Sequence, residues 1–516
     1  MESTATTNPL ACGGLTALSL RLLSELAETS TRSNLVFSPI SIYAALALTA
    51  AGARGATLQE FLAVLGARSR DELAEIVRGF AEQVLADRPL TGGPHVSFAC
   101  GLWHDETRKL KPAFRDAAAH SYKAVTRAVD FREEPKEAVN LINAWVAAAT
   151  NNLIDSILAD GQVSDQTDIV VANAVYFKGM WAWPFNKEYT EDDKFHRLDG
   201  STFDVPFMQS GAKQYIACHQ GFKVLRLQYK DGHQRCSPPS PFSMCVFLPD
   251  ARDGLSGLIS RIASSSSDFV REHLPTSLVT VGEFRLPRFK LTFSSDMSSV
   301  LKRLGLEVAF DLKEADVCNM VEDDGTGMPL ALESIIHKAV IEVNEDGTES
   351  AAATISRMKG MAAPNKNAPV PVDFVADHPF VFFLIEEESG AILFAGTVLE
   401  PSPSVPGEKL LRRGSDCSVD DDPFFVAVCG LFTRLCPRFT DFCGLFPRFA
   451  DFVYVGPLLY IDFCGLFPRF ADFVYVGPPL YIDFCGLLPR LWPRFVDSVY
   501  VGLPLYIDFR GLFTWL

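Results

Sequence analysis

Ala339–Ala363 reads AVIEVNEDGTESAAATISRMKGMAA. Its first part, Ala339–Glu345, alternates apolar and polar residues as a half-buried strand does, and Asp346-Gly347 then gives a turn or hinge signal. The residues after Gly347 are odd for a loop, because neither proline nor glycine intervenes before Gly360, and odd for a core strand, because most of their side chains are small. Taken with a period of two, the even positions are Thr348, Ser350, Ala352, Thr354, Ser356, Met358 and Gly360, none of them charged. Glu349, Arg357 and Lys359, every charge in the stretch, fall on odd positions. A strand made of Thr348–Gly360 would therefore bury one face and keep all of its charge in water. Two plainer readings use the same residues: a flexible Ala/Ser linker, or a short helix, which alanine favours.

Around this segment, from Leu15 to Pro401, helical and strand-like patterns alternate with ordinary turn chemistry. Leu15, Leu18, Leu22 and Leu26 predict a surface helix over Leu15–Glu28. Ser41–Ala50 is apolar nearly all round and predicts a buried helix, and Ala138–Leu158 again has helical spacing. Strands are expected at Ile169–Phe177, Met244–Leu248, Val279–Leu286, Ala339–Val343, Val381–Ile385 and Ala391–Val398. Helices come mostly early and strands mostly late, which predicts an α+β fold.

A Pro/Ser/Gly stretch and the acidic run Asp420–Asp422 set off a second region, 402–516, from the first, 1–401. This region repeats itself with a period of about 21 residues. CGLFPRFADFVYVGPLLYIDF starts at Cys443, recurs almost unchanged from Cys464, and has a degenerate copy from Cys485. Proline, Asp and Arg interrupt each unit too often for a membrane-spanning helix. A membrane- or partner-binding tail is one reading; the other is a duplicated coding repeat outside the fold. Its aromatic residues are an aggregation liability in either case.

Composition narrows the function classes. Of 516 residues, 48% are hydrophobic and 21% charged, enough for a substantial core. The formal net charge of −16 argues against non-specific attraction to nucleic acid or to an anionic membrane. MESTATTNPLACGG lacks the basic start and apolar core of a secretory signal. Ile40–Ala51 is too short to span a bilayer. No Asn-x-Ser/Thr acceptor occurs, and the twelve cysteines are scattered, so a reducing, cytosolic location is expected. No GxSxG, HExxH, P-loop or dinucleotide-binding pattern is present, and Gly325-Thr326-Gly327 is too short for a phosphate cradle and is expected to form a turn. The nine histidines form no metal-ligand pair, and a candidate nucleophile such as Ser38 is tied to no base. Neither an enzyme nor a bound cofactor or metal is expected.

Glu345-Asp346-Gly347-Thr348-Glu349-Ser350-Ala351-Ala352-Ala353-Thr354 resembles the reactive-loop hinge of inhibitory serpins. Further motifs occur in the family's order. Asn34–Ser41 (NLVFSPIS) resembles its helix-B entry, Asn173–Gly179 (NAVYFKG) with Trp181 its central-sheet strand, and His337-Lys338-Ala339 the start of the strand before the loop. His378-Pro379-Phe380 through Gly390–Gly396 (GAILFAG) resembles its C-terminal signature, and Asp373–Phe380 (DFVADHPF) the plant, Serpin-Z branch in particular. The likeness spans Leu10–Pro401 and leaves the tail without a counterpart.

The resemblance implies a serpin fold, three sheets with eight or nine helices, and an exposed reactive-centre loop at about 346–371. It implies a suicide-substrate inhibitor of serine endopeptidases: the protease cuts the loop, is caught as its acyl intermediate, and is carried off as the loop enters the central sheet, an insertion known as a general switching mode. Counting the family's distance from Gly347 sets the cut at Met361-Ala362, suited to chymotrypsin- or elastase-like targets. Lys359 or Arg357 would suit trypsin-like or papain-like cysteine proteases. Pro364, Pro369 and Pro371 keep the far side of the loop extended. By motif, Ser38, Ser41, Asn173 and His337 match the family's hydrogen-bonded shutter and Trp181 its breach; without the family, helix capping would account for the serines and a satisfied buried ring for His337. Asn152 stands where many relatives have Gly. A monomer is expected, with the extracellular space as the alternative location. The competing functions are a non-inhibitory serpin with a binding, storage or chaperone-like role, and an interaction protein working through the tail.

Overall fold

Pro39 occupies the first helical position, where its missing N–H costs nothing, and opens the helix Pro39–Gly52, in which every residue but Ala51 is buried. That all-round burial has a cause: the helix touches strand Ala391–Val398 of one sheet and strand Ile169–Met180 of another. The computed structural model describes residues 9–85, 94–152, 154–159, 161–230, 239–323, 330–348 and 370–401, with 460–463, 481–484 and 506–508. The chain divides into two compact units, Met1–Glu408 and Lys409–Leu516.

Among the described residues the first unit has nine α-helices and three sheets, the α+β arrangement that the resemblance implies. A seven-stranded sheet runs in the order Leu35–Phe37, Ala391–Val398, Phe380–Glu386, Pro239–Pro249, Phe222–Lys230, Gln214–His219, Leu278–Val279. Phe380–Glu386 and Ala391–Val398 are buried along their whole length, so they appear as unbroken apolar runs instead of alternating ones. A four-stranded sheet consists of Val372–Val375, Val281–Pro287, Thr202–Gln209 and Glu191–His196. The six-stranded central sheet runs Phe289–Asp296, Ile335–Val343, Gly347–Thr348, Ile169–Met180, His95–Asp105, Val125–Val129. Asn34 joins the two ends of this unit: its side-chain oxygen accepts the Leu399 and Glu400 N–H groups at 2.8 and 2.9 Å.

The central sheet is covered on both faces. Val171, Val175, Phe177, Ala339 and Ile341 belong to the main core, while Val170, Ala172, Ala174 and Ile336 join a smaller one beneath the helix Pro135–Ala149. Lys338, on the second face, donates to the Ser156 carbonyl at 2.7 Å, tying the chain after this helix to the sheet.

Two expectations need correction. The helix expected to reach Leu158 stops at Ala149. Asn151 and Asn152 adopt φ of 52° and 60°, left-handed values that asparagine tolerates better than most residues, and Ile154, Ile157 and Leu158 reach the small core from irregular chain. The strand expected over Val279–Leu286 is two strands: Leu278–Val279 closes the seven-stranded sheet and Val281–Pro287 sits in the four-stranded one, with Thr280 accepting the Val372 N–H between them. Among the described residues no helix is long and apolar enough to cross a membrane.

In the second unit the described residues form one small parallel sheet: Tyr460–Phe463, Tyr481–Phe484 and Tyr506–Asp508, in that order.

Candidate functional site

Strand Ile335–Val343, which leads into the loop, is paired on one edge from Ile336 to Val343, antiparallel to Phe289–Asp296. Its other edge is divided. Ile335–Ala339 pairs parallel with Val171–Val175 of the strand Ile169–Met180. Above that the two strands part, and Gly347–Thr348 lies between them, with Thr348 opposite both Val343 and Gly179 and Gly347 opposite Met180.

The reversal that brings Gly347 back is built by Asn344. Its side-chain oxygen accepts the Asp346 and Gly347 N–H groups at 3.0 and 3.2 Å, and its own N–H donates to the Gly347 carbonyl at 3.0 Å. Only glycine fits at 347: a Cβ there would stand 2.0 Å from the Gly179 carbonyl oxygen and 2.7 Å from the Met180 Cα. The buried Trp181 holds the turn twice, its backbone N–H donating to the Asp346 carbonyl and its ring N–H to the Asn344 carbonyl, each at 2.9 Å. Trp181 also stacks on Tyr229, whose hydroxyl shares a 2.7 Å hydrogen bond with the hydroxyl of the buried Thr348. Burial drives the Tyr229 phenol well above its ordinary value, so it stays protonated. Two acidic side chains are pulled inward beside the turn: Glu345 accepts from Thr190 at 2.7 Å with Arg288 at 3.7 Å, and Asp346 meets Lys187 at 2.7 Å.

Lower in the same seam, His337 and Asn173 are register partners. The Ser38 N–H donates to His337 Nε2 at 3.0 Å, so Nδ1 carries the ring proton and donates to Asn173 Oδ1 at 3.1 Å. Asn173 in turn donates to the Ser41 carbonyl at 2.8 Å. Burial lowers the His337 pKa to about 3, which keeps the ring neutral. Ser38 and Ser41 join this network through their backbones. Their buried hydroxyls have no hydrogen-bond partner, and Ser38, although in the N-cap position, makes no side-chain cap, so capping does not account for it. Cys100, on the neighbouring strand, faces Asn173 across the ladder, and burial pushes its thiol up to about 12.

Gly347, Thr348, Trp181, Asn173, His337, Ser38 and Ser41 are thus gathered along one seam of one sheet. Glu349, Ser350, Ala351, Ala352, Ala353 and Thr354 lie outside the described residues, as do Met361, Ala362, Lys359, Arg357 and Gly325-Thr326-Gly327. Tyr229, Thr190, Lys187 and Arg288 had no signal in the sequence; they lie between 57 and 159 positions from the residues they meet at the turn. Among the described residues no three His, Cys, Asp or Glu side chains converge as a metal site.

Residues 14–401 match the family model described as Serpin (serine protease inhibitor). The chain is a serpin. Among curated relatives, serpin-Z5 of Oryza sativa subsp. japonica is 56% identical over 76% of this serpin and 90% of its own length. Serpin-Z2A of the same species is 51% identical over 76% and 98%, and serpin-Z7 of Hordeum vulgare 41% identical over 78% and 100%. These relatives make it a serpin of the plant Serpin-Z type. Among solved structures, an Arabidopsis serpin described as in its "Native Stressed Conformation" matches 77% of this chain and all of its own at a TM-score of 0.69 and 38% identity. Serpins are typically protease inhibitors and generally not enzymes; a target protease is the partner that family membership implies.

Proposed function

We propose that this serpin is a suicide-substrate inhibitor of endopeptidases that works by loop cleavage, acyl-enzyme capture and insertion of the loop between Ile335–Val343 and Ile169–Met180. The position of Thr348 carries the proposal. Thr348 is opposite Val343 on one side and Gly179 on the other. Continued downward, that register would set Ala352 between Ala339 and Val175 and Thr354 between His337 and Asn173, pairs that now meet directly. Every even position would then share the inward face of Thr348, and Glu349, Arg357 and Lys359 would share the outward one. The charge pattern of the sequence and the register of the sheet thus agree on which face goes in.

The same register implies the obstacle. Thr354 cannot enter without separating His337 Nδ1 from Asn173 Oδ1, now 3.1 Å apart. Insertion of about twelve residues, at a net gain of about 1 kcal/mol per backbone hydrogen bond, supplies on the order of 10 kcal/mol. That is comparable with the stability of an entire domain, enough to open the seam and deform a captured protease. Met361 is proposed as the residue before the cut, with Lys359 and Arg357 as alternatives, and cytosolic action remains part of the proposal.

Incubating the full chain with chymotrypsin, elastase, trypsin and papain tests this. The expected result is an SDS-stable complex with at least one serine protease, with mass spectrometry locating the cut at Met361-Ala362. Cleavage by all four without any complex would establish a substrate and support a binding or storage role instead.

A further inference from the structure

We propose that the C-terminal unit is a self-association module, joining copies of this chain through the outer edges of its small parallel sheet. The tetrapeptide Tyr-Ile-Asp-Phe occurs three times in the sequence, at Tyr460–Phe463, Tyr481–Phe484 and Tyr506–Phe509. The three strands of the sheet are these three copies, paired parallel and in register: Tyr460 with Tyr481 with Tyr506, Ile461 with Ile482 with Ile507, Asp462 with Asp483 with Asp508. The crossovers, 464–480 and 485–505, exceed the roughly dozen residues that a parallel connection requires.

Among the described residues no strand pairs with the far edge of Tyr460–Phe463 or of Tyr506–Asp508. Among the described residues each edge is therefore a row of backbone donors and acceptors, a template for another strand. The strand that fits is specified by the pairing already present, because an in-register parallel ladder accepts the same sequence at its next rung. All three copies in this chain are already used, so a fourth must come from a second molecule. The edge at Tyr506–Asp508 of one copy would receive Tyr460–Phe463 of the next. This contact is heterologous and does not close, so it builds open, head-to-tail chains. It departs from the monomer expected from the sequence, and it does not depend on the inhibitory reading, since neither the hinge nor the seam takes part.

Sedimentation velocity of the full chain over a wide concentration range, in reducing buffer to prevent disulfide cross-links, tests the proposal. The wild-type mass should climb with concentration beyond a dimer. The triple variant Ile461→Pro/Ile482→Pro/Ile507→Pro, which removes one ladder donor from each strand, should remain at the monomer mass with the unfolding temperature of its serpin body unchanged. Ile507→Pro alone, confined to one outer strand, should weaken association by about tenfold. Thr348→Arg should leave assembly unaltered. A wild-type chain that stays monomeric, assembly that survives the prolines as non-specific aggregation would, or assembly abolished by Thr348→Arg, which would mean that chains join through the loop, each overturns the proposal.

Discussion

The upper and lower halves of one seam in the central sheet are built differently. Below, Ile335–Ala339 and Val171–Val175 are zipped directly together, with the neutral His337 bonded to Asn173 across the join. Above, the same two strands are already parted around Gly347–Thr348. In the proposed mechanism the upper half is where the entering chain begins, and the lower half holds the bonds that its next residues would break. On the proposed insertion, opening would be polarised, begun at the turn held by Trp181 and resisted at His337.

The largest expected effect reverses the upper half. Thr348→Arg would force an unpaired guanidinium into a site 1% exposed, at a cost of several kcal/mol, expelling the hinge. We expect complete loss of SDS-stable complexes while cleavage continues; complexes formed at an unchanged stoichiometry would show that the wedge is irrelevant.

Acid acts on the lower half. His337 has a folded pKa of about 3, below its ordinary 6.5, so the unfolded chain binds the extra proton first. The stabilisation is complete above pH 6.5 and declines as the pH falls, by on the order of 3 kcal/mol at pH 4. Carboxylates add to the loss, including Asp105, where burial pushes upward but hydrogen bonds from Thr107 and the Phe131 N–H prevail. Urea unfolding of His337→Gln beside the wild type isolates the histidine: the variant should lose less stability over this range, and parallel curves would remove His337 from the account.

Tyr229→Phe gives a smaller change in the upper half. It leaves the Thr348 hydroxyl buried without its 2.7 Å partner, a penalty of about 1–2 kcal/mol. Faster hydrogen exchange at the Thr348 amide is expected, and unaltered exchange would mean that the ladder alone retains the hinge. The smallest effect lies outside the seam. Asn152→Gly removes left-handed strain but frees the unfolded chain, for a net gain of about 0.5 kcal/mol or less in urea unfolding. A loss would show that the asparagine side chain contributes more than its backbone costs.

Much of this site could be read from the residues alone. The turn at Asp346-Gly347 needs only its dipeptide signal, and the buried helix Pro39–Gly52 needs only its lack of a polar face; the parity expected beyond Thr348 falls outside the described residues. The end of the helix at Ala149 was hidden because Ile154, Ile157 and Leu158 keep helical spacing although they reach their core from irregular chain. The break at Thr280 was hidden for a similar reason: apolar residues continue through it, and only the sheets on either side reveal that the chain changes partner. The involvement of Ser38 and Ser41 was anticipated from motif, but not that their backbones, and not their hydroxyls, make the bonds. Tyr229 lies 119 positions from Thr348, a separation that no local pattern bridges.

Cys100 turns this architecture into a stopwatch. Its thiol faces Asn173 beside the seam and, with a pKa of about 12, is inert toward alkylating reagents at neutral pH while the sheet stays shut. Cys245 is equally buried but belongs to the seven-stranded sheet, away from the proposed path of insertion. After a protease cuts the loop, alkylation of Cys100 should therefore accelerate while Cys245 stays silent, so the ratio of the two signals would time strand entry in a single molecule.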